Sequence, residues 1–282
     1  MIESRASELL SILNLETIEM NLFRAANEKR FGARLFGGQV LAQALAAAGN
    51  TVPDDRQCHS LHAYFLRPGS SAVPVVYNVD RIRDGGSFTT RRIVAIQHGE
   101  AIFSMDASFQ VAEQGLVHQI DMTPLVLPEE LEDDMDVARR SPGIPQFSGW
   151  STRERPFDIR SVYPADRPRP RNNSNPVWIR FRDNVSESPR QQRCLLAYAS
   201  DMGLVSTAML PHRGTVGRGS VQMASLDHAL WFHCDVSLDD WLLYIKETTS
   251  GSASRGFNRG AFYTREGRLI ASTMQEGLMR VR

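Results

Sequence analysis

The sequence is poor in lysine and cysteine. Lysine occurs only at Lys29 and Lys246, so 30 of the 32 basic residues are arginine (32 minus 2), a bias that we attribute to a GC-rich genome rather than to a function. The three cysteines, Cys58, Cys194 and Cys234, are odd in number and widely spaced. They fit neither a disulfide framework nor a zinc site, and they indicate a reducing compartment.

Net charge and long apolar runs are also lacking. The 32 basic and 32 acidic residues cancel, so no overall attraction draws the chain to nucleic acid or anionic lipid. The basic stretch RPRPRNNSNP has no base-reading module beside it, which favours a solvated loop over a nucleic-acid contact. No apolar run approaches the roughly 20 residues of a membrane span, and the opening MIESRASELLSILNLE does not resemble a signal peptide. We predict a cytoplasmic protein without a membrane span or nucleic-acid partner.

Several common catalytic and cofactor motifs are missing as well. The sequence contains no G-x-S-x-G elbow, no phosphate-binding P-loop, no H-E-x-x-H zinc helix and no G-x-G-x-x-G dinucleotide loop. We therefore predict neither a metal nor a cofactor. The run FGGQ at Phe36–Gln39 opens a helical stretch and could hold an anion on its backbone amides. Two glycines could equally serve only a tight turn, so Gly38 is a candidate for a substrate contact and no more.

The chain does contain a copy of part of itself. When the sequence is shifted by 168 residues, TTRRIVAIQHGEAIFSMDASF lies on FNRGAFYTREGRLIASTMQEG without a gap. Arg91 then meets Arg259, and Gly99 meets Gly267. Both copies have strand-like segments on either side of a glycine, the residue that a tight turn needs for positive φ. Each copy therefore predicts a β-hairpin.

Other elements repeat more loosely in the same order. Alanine-rich or apolar runs at 37–50 and 195–210 predict central helices, and each is followed by an aromatic strand, at 59–69 and 223–233. Short strands precede each helix: NLFRA and ARLFGG in the first half, FDIRSV and VWIRFR in the second. Each half thus runs from short strands through one helix into antiparallel strands, which predicts an α+β layer fold.

Three polar residues break the repeat in the second half. Asp201 lies among apolar residues of the second helix, where a carboxylate is unfavourable unless it has partners or a function. Gln275 falls opposite Ala107, and Ser225 begins the strand SLDHALWFH. Together the three could hold one water, with the carboxylate accepting its proton. The pattern alone leaves open a helix-surface Asp, and it favours a Ser bonded to backbone and a solvent-facing Gln at a strand end.

His228 is a rival candidate, because the same strand also contains Asp227 and His233. Alternation along a strand places Asp227 and His228 on opposite faces of the sheet. The two cannot both enter one pocket without a bulge. We therefore favour a core or interface histidine over a catalytic one.

Seven stretches spread over nearly the whole chain carry a resemblance to a known family. They are ELLSILNLETIEMNLFRA, FGGQVLAQALAAA, HSLHAYFLRPG, YASDMGLV, SLDHALWFH, WLLYIKETTSGSASRGFNRGAFYT and ASTMQEGLMR. In combination they resemble the acyl-CoA thioesterase II family, the double-hotdog thioesterases. The resemblance implies two tandem hotdog domains, each a central helix wrapped by an antiparallel sheet. It also implies hydrolysis of fatty acyl-CoA to free acid and CoA over a broad range of chain lengths, without an acyl-enzyme serine.

The family's catalytic residues can be carried over one by one. An Asp on the second helix corresponds to Asp201, a hydroxyl residue at the start of the following strand to Ser225, and a Gln near the C-terminus to Gln275. The resemblance implies that Asp201 is the general base and that the other two orient the water. Thr is familiar at the middle position, so Ser225 keeps the hydroxyl but loses the rotamer restriction of a β-branched side chain.

Two alternative functions stay open. A hotdog-type enoyl-CoA hydratase would need an Asp and His pair a few residues apart after the helix, whereas His212 falls in the loop-like LPHRGTVGRG. A non-catalytic acyl-CoA-binding module would not need all three polar groups. For CoA phosphates the candidates are Arg255 and Arg259, although Arg91, the copy of Arg259, suggests that Arg259 is structural.

The resemblance and the repeat together predict domains and assembly. We expect an N-terminal hotdog domain at 1–112, a linker at 113–154 and a C-terminal hotdog domain at 155–282 that carries the catalytic residues. Two such domains can pair edge to edge in one continuous sheet. Adjacent aromatic residues in the strands HAYFLR and HALWFH must point to both faces, so some lie outward. Such a patch predicts a homodimer or homotetramer.

Overall fold

The computed structural model describes residues 4–28, 32–141, 155–170, 172–185, 188–216 and 220–282. Within these residues thirteen strands form a single sheet, and every strand pair in it is antiparallel. The elements of the first half are, in order, α1 (Arg5–Ile12), β1 (Glu16–Glu19), β2 (Leu22–Ala25), α2 (Gly37–Gly49), β3 (Arg56–Phe65), β4 (Val75–Asp84), β5 (Phe88–Gln97) and β6 (Glu100–Val111).

A connecting segment and the second half follow. The connection contains a 3₁₀ turn at Pro128–Glu130 and helix α3 (Asp134–Arg140). The elements of the second half are β7 (Phe157–Ser161), β8 (Ser174–Phe181), α4 (Pro189–Ser200), α5 (Leu204–Thr207), a 3₁₀ turn at Leu210–His212, β9 (Val221–Ser225), β10 (Asp227–Phe232), β11 (Leu242–Ser252), β12 (Arg255–Tyr263) and β13 (Leu269–Val281).

The two halves meet in the middle of the sheet. The strand order is β1-β2-β4-β5-β6-β3-β10-β13-β12-β11-β8-β7, and β9 pairs separately with β13. β3 of the first half lies beside β10 of the second, with Leu61 opposite Leu230. The predicted edge-to-edge sheet is therefore confirmed, and each half covers an edge that the other would leave open.

The two predicted hairpins are also confirmed. β5 pairs with β6 and β12 with β13, and the turns contain Gly99 at φ 78° and Gly267 at φ 86°. The repeated arginine occupies the same position in both hairpins but a different environment in each. Arg91 is fully buried and donates to the Thr51 hydroxyl, whereas its counterpart Arg259 is exposed and bonds to Glu247.

The core lies between the sheet and the two helices α2 and α4. Both helices are almost entirely buried, as predicted for central helices. Small residues allow their backbones to approach closely: a Cβ on Gly38 would lie 2.4 Å from the carbonyl oxygen of Tyr198. The helical residues Pro189–His212 have the length and apolar character of a membrane span, but a core helix does too, and 72% of their most apolar window is buried.

Three predicted elements differ from the structure, and the strand expected at 223–233 is one of them, because it is divided at Leu226 into β9 and β10. ARLFGG is not a strand, because Arg34 forms only an isolated bridge with Ser70 and the backbone turns into α2 at Gly37. The second helix was expected at 195–210, but α4 begins at Pro189 and ends at Ser200, since Gly203 has φ 72° and cannot continue it.

The segment between the halves is only partly an irregular linker. Residues 112–127 have no regular secondary structure and expose apolar side chains such as Leu116 and Val117. The end of the acidic run begins α3, where the side chain of Asp133 caps the first turn by accepting from the Met135 amide. Residues 142–154 of the predicted linker lie outside the described residues.

Candidate active site

Asp201 lies where α4 ends and α2 begins. The sequence had suggested a residue inside this helix, but Asp201 is the C-terminal cap of α4. Its carboxylate accepts a hydrogen bond from the backbone N–H of Gly38, in the first turn of α2. The N-cap of α2 is Phe36, which has no side-chain acceptor, so Asp201 supplies from another helix the cap that α2 lacks in its own sequence.

Gln275 reaches the same carboxylate from the sheet. Its Nε2 donates to Oδ1 of Asp201 at 2.6 Å, and its side chain is fully buried. The solvent-facing amide that the strand pattern alone favoured was wrong, and the hydrogen-bonding amide implied by the family resemblance is what the structure shows. β13 continues to Val281 because strands on both sides pair with it. Asn258 of β12 lies opposite Gln275, and β9 pairs with the residues of β13 from Gly277 to Val281.

Ser225 is the third residue of the predicted set. It is the last residue of β9, not the first of the next strand, because Leu226 separates β9 from β10. Its hydroxyl donates to Oδ1 of Asp201 at 3.4 Å, a long hydrogen bond. The structure thus brings Asp201, Ser225 and Gln275 together, although they come from a helix end and two strands.

Burial controls the electrostatics of this carboxyl group. Asp201 is 5% exposed, and its desolvation raises its pKa to about 6. Hydrogen bonds from Gln275, Gly38 and Ser225 oppose the rise, because each favours the ionised form. The carboxylate is therefore ionised at neutral pH and is still a stronger base than an ordinary aspartate. These are the properties of a general base.

A pocket of about 380 Å³ lies beside two residues that neighbour the carboxylate, although Asp201 and Gln275 are not themselves among its lining residues. Gly37 and Ser225 lie in its wall, and its apolar lining includes Leu35, Val40 and Phe65. A Cβ on Gly37 would lie 2.8 Å from Oδ2 of Asp201 and 2.9 Å from the Phe65 ring, so glycine is needed where the carboxylate meets the pocket wall.

His228 is a core histidine, as predicted. It is 1% exposed, and burial lowers its pKa to about 3, so the ring is neutral. Its nitrogens lie 2.8 Å from the Ser200 hydroxyl and 3.1 Å from Nε2 of Gln275. Asp227 is half-buried and accepts from the Glu276 amide, consistent with the expected opposite faces.

The two substrate-contact candidates have other partners. The amide of Gly38 is directed at Asp201, so a contact with substrate is still only a prediction. Arg255 donates to Glu276 at 2.8 Å and is not among the residues that line the pocket. Two arginines that the sequence reading missed, Arg34 and Arg67, do line it. Both lie shortly before glycines, in ARLFGG and LRPG. Their position near a predicted turn was the sequence feature that could have identified them as pocket residues.

The first half has an equivalent position without the chemistry. Asn50 caps the C-terminus of α2 as Asp201 caps α4, and Ala107 occupies the place of Gln275. A cavity of about 510 Å³ adjoins Asn50, but its lining contains no carboxylate and no histidine. An amide cannot accept the proton of a water, so only the second half has a base at this place. Among the described residues no group of three or more His, Cys, Asp or Glu could hold a metal ion.

Sequence comparisons identify the family of the chain. A family profile described as acyl-CoA thioesterase matches residues 150–278, and one described as acyl-CoA thioesterase N-terminal domain matches residues 26–110. Acyl-CoA thioesterase 2 of Haemophilus influenzae is 36% identical over 281 residues, which cover 97% of each chain. Acyl-coenzyme A thioesterase 8 of Mus musculus is 37% identical over 296 residues, covering 99% of this chain and 90% of the relative.

A solved structure shares the fold as well. The acyl-CoA thioesterase II TesB2 from Mycobacterium marinum is 40% identical, covers 97% of this chain and 98% of its own, and superposes with a TM-score of 0.81. This agreement confirms the predicted α+β double-hotdog fold. The chain therefore belongs to the acyl-CoA thioesterase II family.

Proposed function

We propose that this chain hydrolyses acyl-CoA to a free fatty acid and CoA by direct attack of water on the thioester. The observation that carries the proposal is the buried carboxylate of Asp201, which accepts hydrogen bonds from Gln275 and from Ser225, a residue of the pocket wall. The relatives' activity, as their names state it, supports the same substrate class.

The proposed step needs only a water and one base. Asp201 takes a proton from the water as the water oxygen bonds to the thioester carbonyl carbon. The tetrahedral intermediate then breaks its C–S bond, and the electron pair leaves with the CoA sulfur. Asp201 returns the proton to that sulfur, so the carboxylate is regenerated. A base with a pKa of about 6 can both accept and release this proton near neutral pH.

The apolar pocket wall supports the acyl part of the substrate. Leu35, Val40 and Phe65 offer a surface for a hydrocarbon chain but no polar group that would select one length. We propose a broad chain-length range on this basis. The test is thiol release measured across short, medium and long acyl-CoA substrates, with hydration of an enoyl-CoA measured in parallel.

The outcomes separate the alternatives. Release of CoA thiol and free acid supports the hydrolase. Hydration of enoyl-CoA without thiol release would point to the hydratase, and tight acyl-CoA binding without turnover would point to the binding module. The structure offers no support for the hydratase pair, since the neutral His228 has both ring nitrogens engaged and His212 lies in a 3₁₀ turn beside Gly251.

We further propose that Arg34 and Arg67 contact the phosphates of CoA. Both line the pocket and are exposed, where a charged nucleotide would remain in contact with solvent. Arg67 also donates to the Ala101 carbonyl and lies 3.5 Å from a carboxylate oxygen of Glu100, a pairing that a phosphate would have to displace. Replacing both with Ala is expected to raise KM for acyl-CoA about tenfold, since each exposed ion pair contributes up to about 1 kcal/mol and about 1.4 kcal/mol equals a factor of ten. The kcat should change little.

Two controls make this arginine test specific. An acyl thioester of N-acetylcysteamine has no phosphates, so its KM should be the same for the parent and the double variant. Arg255→Ala is the matched arginine control, because Arg255 pairs with Glu276 outside the pocket lining. An equal rise in KM for both substrates would contradict the phosphate contact.

The domain division and the assembly are also proposals. We propose domains at 1–112 and 155–282 joined by 113–154, in a homodimer or homotetramer in the cytoplasm. Exposed apolar side chains on the outer side of the central strands, Tyr64 (62% exposed) and Met274, support an interface there. Light scattering that gives only the 31.6 kDa chain mass would contradict the assembly.

A further inference from the structure

A chain of hydrogen bonds joins the end of α4 to the proposed base. The Ser200 hydroxyl donates its single proton to the Ala197 carbonyl at 2.7 Å. The same oxygen lies 2.8 Å from Nε2 of His228, so it must accept there and the ring must donate. A neutral imidazole protonated on Nε2 carries a lone pair on Nδ1. That lone pair can only accept, and it faces Nε2 of Gln275 at 3.1 Å.

Both hydrogens on the amide nitrogen of Gln275 therefore have a defined acceptor. One hydrogen goes to Nδ1 of His228 and the other to Oδ1 of Asp201. The amide oxygen, Oε1, is buried and has no hydrogen-bond partner within the described part of the chain. Buried polar atoms are normally paired, so an orphaned acceptor beside a catalytic carboxylate is suited to a water.

The Asp201 carboxylate alone cannot hold the Gln275 amide in this orientation throughout the reaction. While Asp201 is ionised, it accepts from the amide nitrogen and disfavours the amide oxygen. Once Asp201 has taken a proton, its O–H can donate to Oε1 equally well, and a rotated amide becomes competitive. Nδ1 of His228 has the same lone pair before and after this proton transfer, because the ring itself is neutral and buried.

We propose that His228 is a positioning residue that locks the side-chain amide of Gln275, so that Oε1 accepts the second hydrogen of the attacking water while Asp201 takes the first. The inference rests on the proposed function. It explains why a histidine with both nitrogens engaged lies behind Gln275, and it assigns to Ser200 the task of fixing the tautomer. His228 itself touches no reacting atom.

Two substitutions separate the acceptor from the volume of the ring. His228→Leu fills similar space but has no acceptor, whereas Oδ1 of Asn can occupy the place of Nδ1. We expect His228→Leu to lower kcat about tenfold with KM within twofold, the effect of one lost orienting hydrogen bond. We expect His228→Asn to keep kcat within about threefold of the parent. Equal losses in both variants would overturn the proposal.

A double-mutant cycle tests whether His228 acts through Gln275. In a Gln275→Ala background the amide is gone, so adding His228→Leu should lower kcat no further. A general packing role would give the same tenfold loss in both backgrounds, and that result would overturn the proposal. Denaturant unfolding of all four proteins shows whether each is folded before its kinetics are compared.

The tautomer gives a readout that does not depend on turnover. We expect the ¹⁵N resonances of His228, identified by their loss in the His228→Asn spectrum, to show a neutral ring protonated on Nε2 from pH 5 to 8. A ring protonated on Nδ1, or a charged ring, would overturn the proposed lock. A parent protein that shows this tautomer but releases no thiol would instead contradict the proposed hydrolysis.

Discussion

Asp201→Asn is expected to lower kcat for acyl-CoA hydrolysis by about 10²–10⁴-fold, the usual contribution of a general base. Asn keeps the shape of the side chain and can still accept the hydrogen bond from Gln275, so the pocket and KM should be almost unchanged. It cannot accept a proton from water. Steady-state thiol release with saturating acyl-CoA measures the loss directly.

The matched control is Asp227→Asn. This substitution makes the same chemical change on β10, the strand that pairs with β13. Asn can still accept the hydrogen bond from the Glu276 amide that Asp227 accepts now. Its activity should stay within a few-fold of the parent. Asp201→Asn with turnover that close to the parent would rule out the proposed base.

The same substitution should change how stability depends on pH. Burial raises the pKa of Asp201 to about 6, whereas an unfolded chain has roughly 4, so the folded state holds this proton more tightly. The stability that this tighter proton binding contributes is complete below pH 4 and is lost as the pH rises to 6. Above pH 6 the ionised carboxylate costs at most about 3 kcal/mol, since one pKa unit equals about 1.4 kcal/mol. Asn does not titrate, so the stability of the variant relative to the parent should rise by at most about 3 kcal/mol between pH 4 and pH 8, which denaturant unfolding at the two pH values measures.

Gly38→Ala is expected to destabilise the protein by about 3 kcal/mol, at the upper end of overpacking in a close-packed core. The new Cβ would lie 2.4 Å from the backbone carbonyl oxygen of Tyr198, and a backbone atom in a buried helix cannot move aside as a side-chain tip can. The better helix propensity of Ala offsets less than about 1 kcal/mol of this. Denaturant unfolding followed by circular dichroism measures the change.

Gly115→Ala provides the comparison for Gly38. A Cβ at Gly115 meets nothing within 4 Å, so the same substitution there should leave the midpoint within experimental error. If Gly38→Ala were as stable as Gly115→Ala, α2 and α4 would not be held at the separation that the structure shows. The contact between the Gly38 amide and Asp201 would then also be in doubt.

Features encoded by neighbouring residues could be predicted from the sequence. The hairpins at Gly99 and Gly267 follow from strand alternation around a glycine, and the burial of α2 follows from its composition. The choice of Asp201, Ser225 and Gln275 also came from the sequence, and the structure places them within hydrogen-bond distance. Their catalytic roles are still proposals.

Features set by distant partners could not be predicted. The strand pattern alone favoured an exposed Gln275, because nothing near it in sequence shows that β12 and β9 flank β13. The end of α4 before Asp201 depends on Gly203, whose positive φ a composition argument does not reveal. Arg255 was chosen for its charge, and its partner Glu276 lies across a strand pair.

The pairing of β3 with β10 has a consequence for biosynthesis. β3 ends at Phe65, but its neighbour β10 begins at Asp227, so the ribosome must add 162 residues (227 minus 65) before the central pair can form. At roughly 5–20 residues per second this interval lasts on the order of 10–30 s. During that time the nascent first half presents an unpaired apolar strand edge to the cell. A nascent chain of this protein is therefore most vulnerable to aggregation, and most in need of chaperones, while its second half is being translated.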